Sequence, residues 1–237
     1  MQASFQAESI LHEFIPEFSP KPIVVGTYES DQNMHFFLSD FIEMIEDDIP
    51  SPESYMAAVV ALHQRSFGNS PGGQFGFPIP TRFGDLEQTN LWTDSWETFW
   101  TNQMREILDR EERIRGQHSD DLARLRQAYF DKVLPRYLRP LESDGSAFWG
   151  HNEVDLGVFR NPRYPLGRPY LREYWKNIPV SAPEEDADSR NSMYMIRNQI
   201  LLATLYPTQP NLREVWAASM RQLVESVAEE ERKMSRI

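Results

Sequence analysis

Two short apolar runs near the start of the chain are followed by a long succession of helical periods. Pro22-Ile23-Val24-Val25-Gly26-Thr27-Tyr28 is rich in β-branched residues, and Met34-His35-Phe36-Phe37-Leu38 is aromatic and apolar. The polar residues 29–33 between them have hairpin-loop length, so the two runs are expected to pair antiparallel. Beyond them Tyr55, Val59 and Leu62 recur at helical spacing. Ser51 stands ready as N-cap, Pro52 suits the first turn, and Gly68 lies just past the end. A Gly- and Pro-containing surface loop over 68–88 separates this helix from the strongest one. There Trp96, Phe99, Trp100, Gln103, Met104, Ile107 and Leu108 step by three and four. Thr93 and Asp94 are the expected caps, Glu97 stands at capping-box distance from Asp94, and Gly116 ends the helix.

Ser119 opens the next helix, with Asp120 and Asp121 in its first turn and Leu122, Leu125, Tyr129 and Val133 on its apolar face. Pro135 and Pro140 are expected to close it. A Gly- and Pro-rich middle over 145–169 leads to a short helix around Tyr170 to Trp175. Pro183, with Glu184, Glu185 and Asp186, starts a helix carrying Met193, Ile196, Ile200 and Leu201, and Pro207 stops it. Asn211 is expected to cap the last helix, which buries Leu212, Val215, Trp216, Met220, Leu223 and Val227. Its charged tail over 229–236 is expected to fray. The pattern as a whole predicts an α+β, mainly α chain: a small sheet, then a helical domain.

A length of 237 residues allows one large domain or two small ones with a real core. The absence of cysteine excludes disulfides, thiolate zinc sites and a Cys nucleophile. Thirty-six acids against 24 Lys and Arg give a net charge of −12. Phosphate backbones are bound by basic residues, so a nucleic-acid partner is not expected. Residues 1–13 carry acids and no apolar run, unlike a signal peptide. No stretch approaches the roughly 18–20 apolar residues of a membrane span. The expected location is cytoplasmic, with no membrane partner.

Candidate chemistry is sparse. The five histidines fall at 12, 35, 63, 118 and 151, none four residues from another. His151-Asn152-Glu153 has the His-x-Glu form of zinc deaminases, but those also need cysteine ligands. Gly68, Gly72, Gly73 and Gly76 follow a helix and run into Phe77-Pro78 without a lysine, which reads as a connection rather than a phosphate loop. Trp92, Trp96, Phe99 and Trp100 have the spacing of a buried helix face. The acidic runs Glu46-Asp47-Asp48 and 184–188 read as solvated faces and helix starts. No Gly-x-Ser-x-Gly elbow is present.

A set of strings in order resembles the fructosamine kinase family, the ketosamine 3-kinases, in its fungal branch. They are Pro20-Lys21-Pro22-Ile23, Gly26-Thr27-Tyr28-Glu29-Ser30, His35-Phe36-Phe37-Leu38, Ala61-Leu62-His63, Phe75-Gly76-Phe77 and the Asp94-Ser95-Trp96 segment with Phe99. Phe148-Trp149-Gly150-His151-Asn152-Glu153 and Ile178-Pro179-Val180-Ser181 with Pro183 complete the set. The resemblance implies a protein-kinase-like fold, here incomplete: residues 1–44 as a remnant of the N-lobe with its linker, and 45–237 as the helical C-lobe. It implies transfer of the ATP γ-phosphate, with Mg²⁺, to ketosamine adducts on protein lysines. Asp40, Phe41 and Ile42 fall in the linker that meets adenine, Glu8 in the N-lobe helix, and His151 and Glu153 on the substrate side.

The departures from the family matter as much. The chain starts at about the N-lobe helix, without the Gly-rich cover and strand lysine. Between Leu141 and Phe148 it lacks the family's His-Gly-Asp-Leu-Trp-x-Gly-Asn loop, whose Asp is the base and whose Asn binds metal. Asp144, four residues before Phe148, either stands in for the family's metal-binding Asp or belongs to the upstream string Leu141-Glu142-Ser143-Asp144-Gly145. No catalytic residue is therefore assigned. The expectation is a family member inactive in phosphoryl transfer; the alternatives are a binding module for glycated lysine or a protein partner, and a fragment that folds poorly.

Overall fold

The computed structural model describes residues 1–43, 48–143, 149–161 and 164–236. The expected boundary near residue 44, Glu46 and Asp47 of the first acidic run, and Asp144 with Phe148 lie outside the described residues. The elements in order are α1 (Gln2–Phe14), β1 (Pro22–Tyr28), β2 (Asp31–Ser39), α2 (Pro52–Ser66), β3 (Thr81–Phe83), β4 (Leu86–Gln88), α3 (Trp96–Arg115), α4 (Asp120–Ala128), α5 (Leu134–Leu138), α6 (Arg168–Trp175), α7 (Ala187–Leu205) and α8 (Asn211–Met234). Among the described residues no helix is long and apolar enough to cross a membrane.

β1 and β2 pair antiparallel, from Pro22 opposite Ser39 to Tyr28 opposite Asp31. The turn is shorter than the polar run suggested, because Asp31 accepts a hydrogen bond from the Asn33 amide at 2.9 Å and continues into the strand. α1 packs on β1, with Phe5 meeting Phe37 edge-on at 5.9 Å. The expected loop over 68–88 contains its own hairpin: β3 pairs with β4, and Phe75 and Leu86 are buried.

Local signals fix three helix starts. The Ser51 and Ser119 side chains accept from Ser54 and Leu122 amides and cap α2 and α4. α3 is capped by Ser95, which accepts from the Thr98 amide, whereas Asp94 accepts instead from the Gln74 side chain at 2.6 Å. Gly116, at φ 92°, ends α3 as expected. Pro135 does not close the helix before it. The chain widens into a π-turn over Tyr129–Val133, where the Leu134 amide bonds back to Tyr129, and so enters α5 without needing the amide that proline lacks. At α8 the cap position is Pro210 and Asn211 is already helical. The charged tail stays helical to Met234; Lys132–Glu231 at 2.7 Å and Arg136–Glu230 at 3.2 Å tie it down.

The larger core gathers α3, α4, α5, α7 and α8 around Trp96, Trp100, Met104, Tyr129, Ile196 and Trp216. A smaller one joins α2 and α6 to a 3-10 segment, Asn152–Arg160, through Met56, Val60, Leu156, Phe159 and Tyr174. α2 is rotated by one residue from expectation: Met56, Val60 and His63 are buried, while Tyr55, Val59 and Leu62 line an open cavity of about 380 Å³. The middle segment is not mere loop. Asn152–Arg160 seats directly on α7, and a Cβ at Gly157 would lie 2.9 Å from backbone atoms of Tyr194 and Met195.

The end of α3 is fixed by one buried carboxylate. Glu111 accepts from Arg213 Nε and Nη2 at 2.8 and 2.9 Å and from His118 Nε2 at 2.9 Å. Burial pushes this carboxyl up, yet the bonds from His118 and Arg213 hold it below its ordinary value. Glu111→Gln is expected to cost about 3–5 kcal/mol in urea unfolding, since it strands buried donors. Arg124→Ala, which loses only an exposed pair with Asp121, is expected to stay within about 0.5 kcal/mol of wild type.

Candidate functional site

A buried network of polar side chains forms where the segment after Trp149 crosses α7. Arg190, Tyr194 and Arg197 occupy one stripe of α7 by their spacing of four and three. Glu153, on the 3-10 segment, receives Arg190 Nε at 2.8 Å and Nη2 at 3.0 Å, and the Ser181 amide at 3.0 Å. The rest of the guanidinium donates to the Pro183 and Ser181 carbonyls at 2.7 and 2.6 Å. Arg190 is 0% and Glu153 2% exposed, so both charges are withdrawn from water and fully spent. Burial raises the Glu153 carboxyl, but Arg190 and the neighbouring groups keep it below its usual range.

His151 lies beside this pair. Its Nδ1 is 2.9 Å from the Tyr194 hydroxyl and its Nε2 2.9 Å from Ser181 Oγ. The Trp96 indole donates to the same tyrosine oxygen at 3.1 Å. Indole is a donor only, so the Tyr194 proton is free to point at His151 Nδ1, and the imidazole proton then sits on Nε2 toward Ser181. Burial pushes the imidazole down to about 4. His151 is therefore a neutral relay between two hydroxyls, and the burial of Tyr194 raises its phenol well above the ordinary value.

A second histidine completes the floor. His63 of α2 is buried, with Nδ1 2.8 Å from the Tyr174 hydroxyl and Nε2 3.1 Å from Asp155 Oδ2. Asn152 donates to the same Tyr174 oxygen at 2.7 Å. Three cavities surround this network. One of about 570 Å³ is lined by His63, Asn152, Ser181, Phe67, Ile178 and Val180. Another of about 270 Å³ lies among Trp96, Trp100, Trp149, His151, Asp155 and Arg197. The cavity over Tyr55 and Val59 shares Asp155 and Arg197 with it. Trp149 stands at φ 58°, unusual for a bulky residue, among Phe77 and Trp92 at ring distances of 5.5 and 5.8 Å.

The structure thus brings His151 and Glu153 together, but with every Glu153 oxygen engaged inside the fold. The expected linker lies elsewhere, at the end of β2. The Asp40 amide donates to the Lys21 carbonyl at 2.9 Å, and its carboxylate accepts from the Lys21 amide at 3.3 Å. Phe41 is 91% exposed and Ile42 about half exposed. Glu8 is half-buried on α1 with no ion-pair partner among the described residues. His63, Asp155, Tyr174, Ser181, Arg190, Tyr194 and Arg197 were given no role by sequence patterns. The stripe at 190, 194 and 197 is a signal for the α7 residues, and it is masked because burial extends around most of that helix.

A family model described as fructosamine kinase matches residues 1–140. No curated protein matches the chain. Among solved structures, a candidate fructosamine-3-kinase from Haemophilus somnus 129PT aligns with a TM-score of 0.66 at 16% identity, over 92% of this chain and 79% of its own. One from Thermobifida fusca YX-ER1 gives 0.65 at 16% identity, over 94% and 80%. At that identity the likeness is one of fold, which is kinase-like and mainly α.

Two outcomes are expected of the network. Arg190→Met strands the Glu153 carboxylate and should cost about 3–5 kcal/mol in denaturant unfolding. The unfolded chain protonates His151 below its ordinary 6.5, whereas the folded chain resists until about 4. Its contribution to stability is thus complete above pH 6.5 and is lost as pH falls toward 4, on the order of 3 kcal/mol. Melts of His151→Gln across that window should be flatter than those of wild type.

Proposed function

The chain belongs to the fructosamine kinase family, and on that premise we propose that it binds ketosamine adducts of protein lysines without phosphorylating them. Membership of a kinase family implies ATP and Mg²⁺ in general. A nucleotide's Mg²⁺ needs only one or two protein ligands beside the phosphates, and Asp144, the residue expected to hold it, lies outside the described residues. The residues from Leu141 to Phe148 leave no room for the loop that, by resemblance, supplies base and metal ligand. Losing a positioned base alone costs about 10²–10⁴-fold in rate.

The observation that carries the binding reading is the cavity of about 570 Å³ beside His63. Its volume suits a small polar molecule with an apolar arm. Phe67, Ile178, Pro179 and Val180 offer a wall for the methylenes of a lysine, while Asn152, Asn177, Gln64 and Ser181 offer hydrogen-bond partners for sugar hydroxyls. His151 and Glu153 act in this reading as positioning residues, because both hold Ser181 in place. A cytoplasmic site of action belongs to the same reading.

Fructosyl-lysine is expected to raise the melting temperature of the purified chain, by the few degrees that about 2.7 kcal/mol produces at a hundred times its dissociation constant. Mg-ATP is expected to leave it unchanged. Val180→Trp, which fills the cavity, should abolish the fructosyl-lysine shift. Transfer of label from γ-labelled ATP to fructosyl-lysine by the wild-type chain would overturn the proposal, as would a melt indifferent to fructosyl-lysine.

A further inference from the structure

Arg197 is the exception among the arginines withdrawn from solvent. Arg110, Arg115, Arg126, Arg136, Arg190 and Arg213 are each buried or half-buried, and each has a carboxylate within 4 Å. Arg197 is half-buried on α7, and among the described residues its guanidinium has neither an ion-pair nor a hydrogen-bond partner. What it does have is the Trp100 ring, with its central carbon 5.9 Å from the ring centroid. A cation–π contact offsets part of the desolvation of a cation but supplies no lone-pair acceptor for five N–H donors. Burial accordingly pushes the group down to about 10.

The surroundings of Arg197 combine flat aromatic surface with mostly neutral polar side chains, among them Asn90, Gln103 and Asn152. It lines the cavity of about 270 Å³ with Phe77, Trp96, Trp100 and Trp149. The indole Nε1 of Trp100 is itself buried without an acceptor. His151 enters the same wall neutral, its nitrogens spent on Tyr194 and Ser181. Among the described residues Asp155 is the one carboxylate in the wall; it bonds His63, and both it and Glu106, outside the wall, reach Arg197 only through space. A cavity with an unpaired cation and aromatic walls lacks one thing, a buried acceptor of negative charge. A small oxyanion supplies it through charge-assisted hydrogen bonds in the guanidinium plane, which are about twice as strong as neutral ones.

We propose that this cavity binds a small oxyanion, a carboxylate or phosphate monoester carried on a flat or apolar body, with the anionic group on Arg197 and the body between Trp96, Trp100 and Trp149. The site lies across His63 from the cavity assigned above to ketosamines, and the two proposals stand or fall separately.

The test uses the full chain with benzoate and phenylphosphate as probes and benzamide as the neutral control. Binding is read by quenching of intrinsic tryptophan fluorescence and by shifts of the indole NH resonances. Saturable quenching by at least one anion, and none by benzamide over the same concentrations, is expected. The anion that binds more tightly tells a carboxylate from a phosphate site. Arg197→Gln should weaken that binding at least about tenfold, while Arg197→Lys, which keeps the charge, should retain part of it. Because no ion pair is broken, Arg197→Gln should melt at or above the wild-type temperature and keep its response to fructosyl-lysine. Absence of a saturable response to both anions in the folded wild type would overturn the proposal. So would anion binding that Arg197→Gln leaves intact.

Discussion

The buried pair of Arg190 and Glu153 is the contact through which the separate pieces of the helical lobe are referred to one another. Two charges taken out of water cost several kcal/mol each, and their attraction repays this only if every remaining donor and acceptor is satisfied. Here they are satisfied by three different stretches of chain: α7, the 3-10 segment, and the turn at Ser181 and Pro183. None of the three can move alone without stranding a charge. The pair therefore fixes where Ser181 stands, and Ser181 in turn fixes His151.

That anchoring explains the arrangement of the cavities. The 3-10 segment is held so close to α7 that only glycine fits at 157, and the aromatic residue entering it, Trp149, is driven to a positive φ. Space is left on both flanks. On the α2 side it is bordered by His63, Asn152 and the loop from Asn177 to Ala182. On the α3 side it is bordered by tryptophans and by a guanidinium that has no ion pair among the described residues. The first flank has the mixed polarity of a sugar-binding surface, the second the polarity of an anion site.

The N-terminal part obeys a looser constraint. α1 has no fully buried residue, and β1 and β2 form a two-stranded sheet whose Ile23, Val24, Met34 and Leu38 are exposed. Two strands alone bury little, and a sheet of this size draws its stability from what packs on it. Ile15, buried at the exit of α1, and the Arg65–Glu17 pair at 2.6 Å connect this part to α2. This N-terminal part is thus packed less tightly than the helices that follow it.

The family and the mainly helical fold were legible in the sequence, because ordered strings and the 3.6-residue period are local properties. Ser51, Ser119 and Gly116 marked helix ends correctly for the same reason: a cap needs only its own turn. The resemblance also implies that the family's catalytic loop is lacking between Leu141 and Phe148. Where local rules erred, tertiary packing had overridden them. Pro135 is absorbed by a π-turn whose flanks are buried in the larger core, and α2 turns Met56 and His63 inward because Tyr174 and Leu156 wait there. The site itself was the least legible. His151 and Glu153 were visible as a motif, but their partners Arg190, Ser181 and Tyr194 lie 28 to 43 residues away. Whether a buried charge is paired, like Arg190, or left open, like Arg197, depends on which distant acceptor reaches it. That is settled only when the chain has folded.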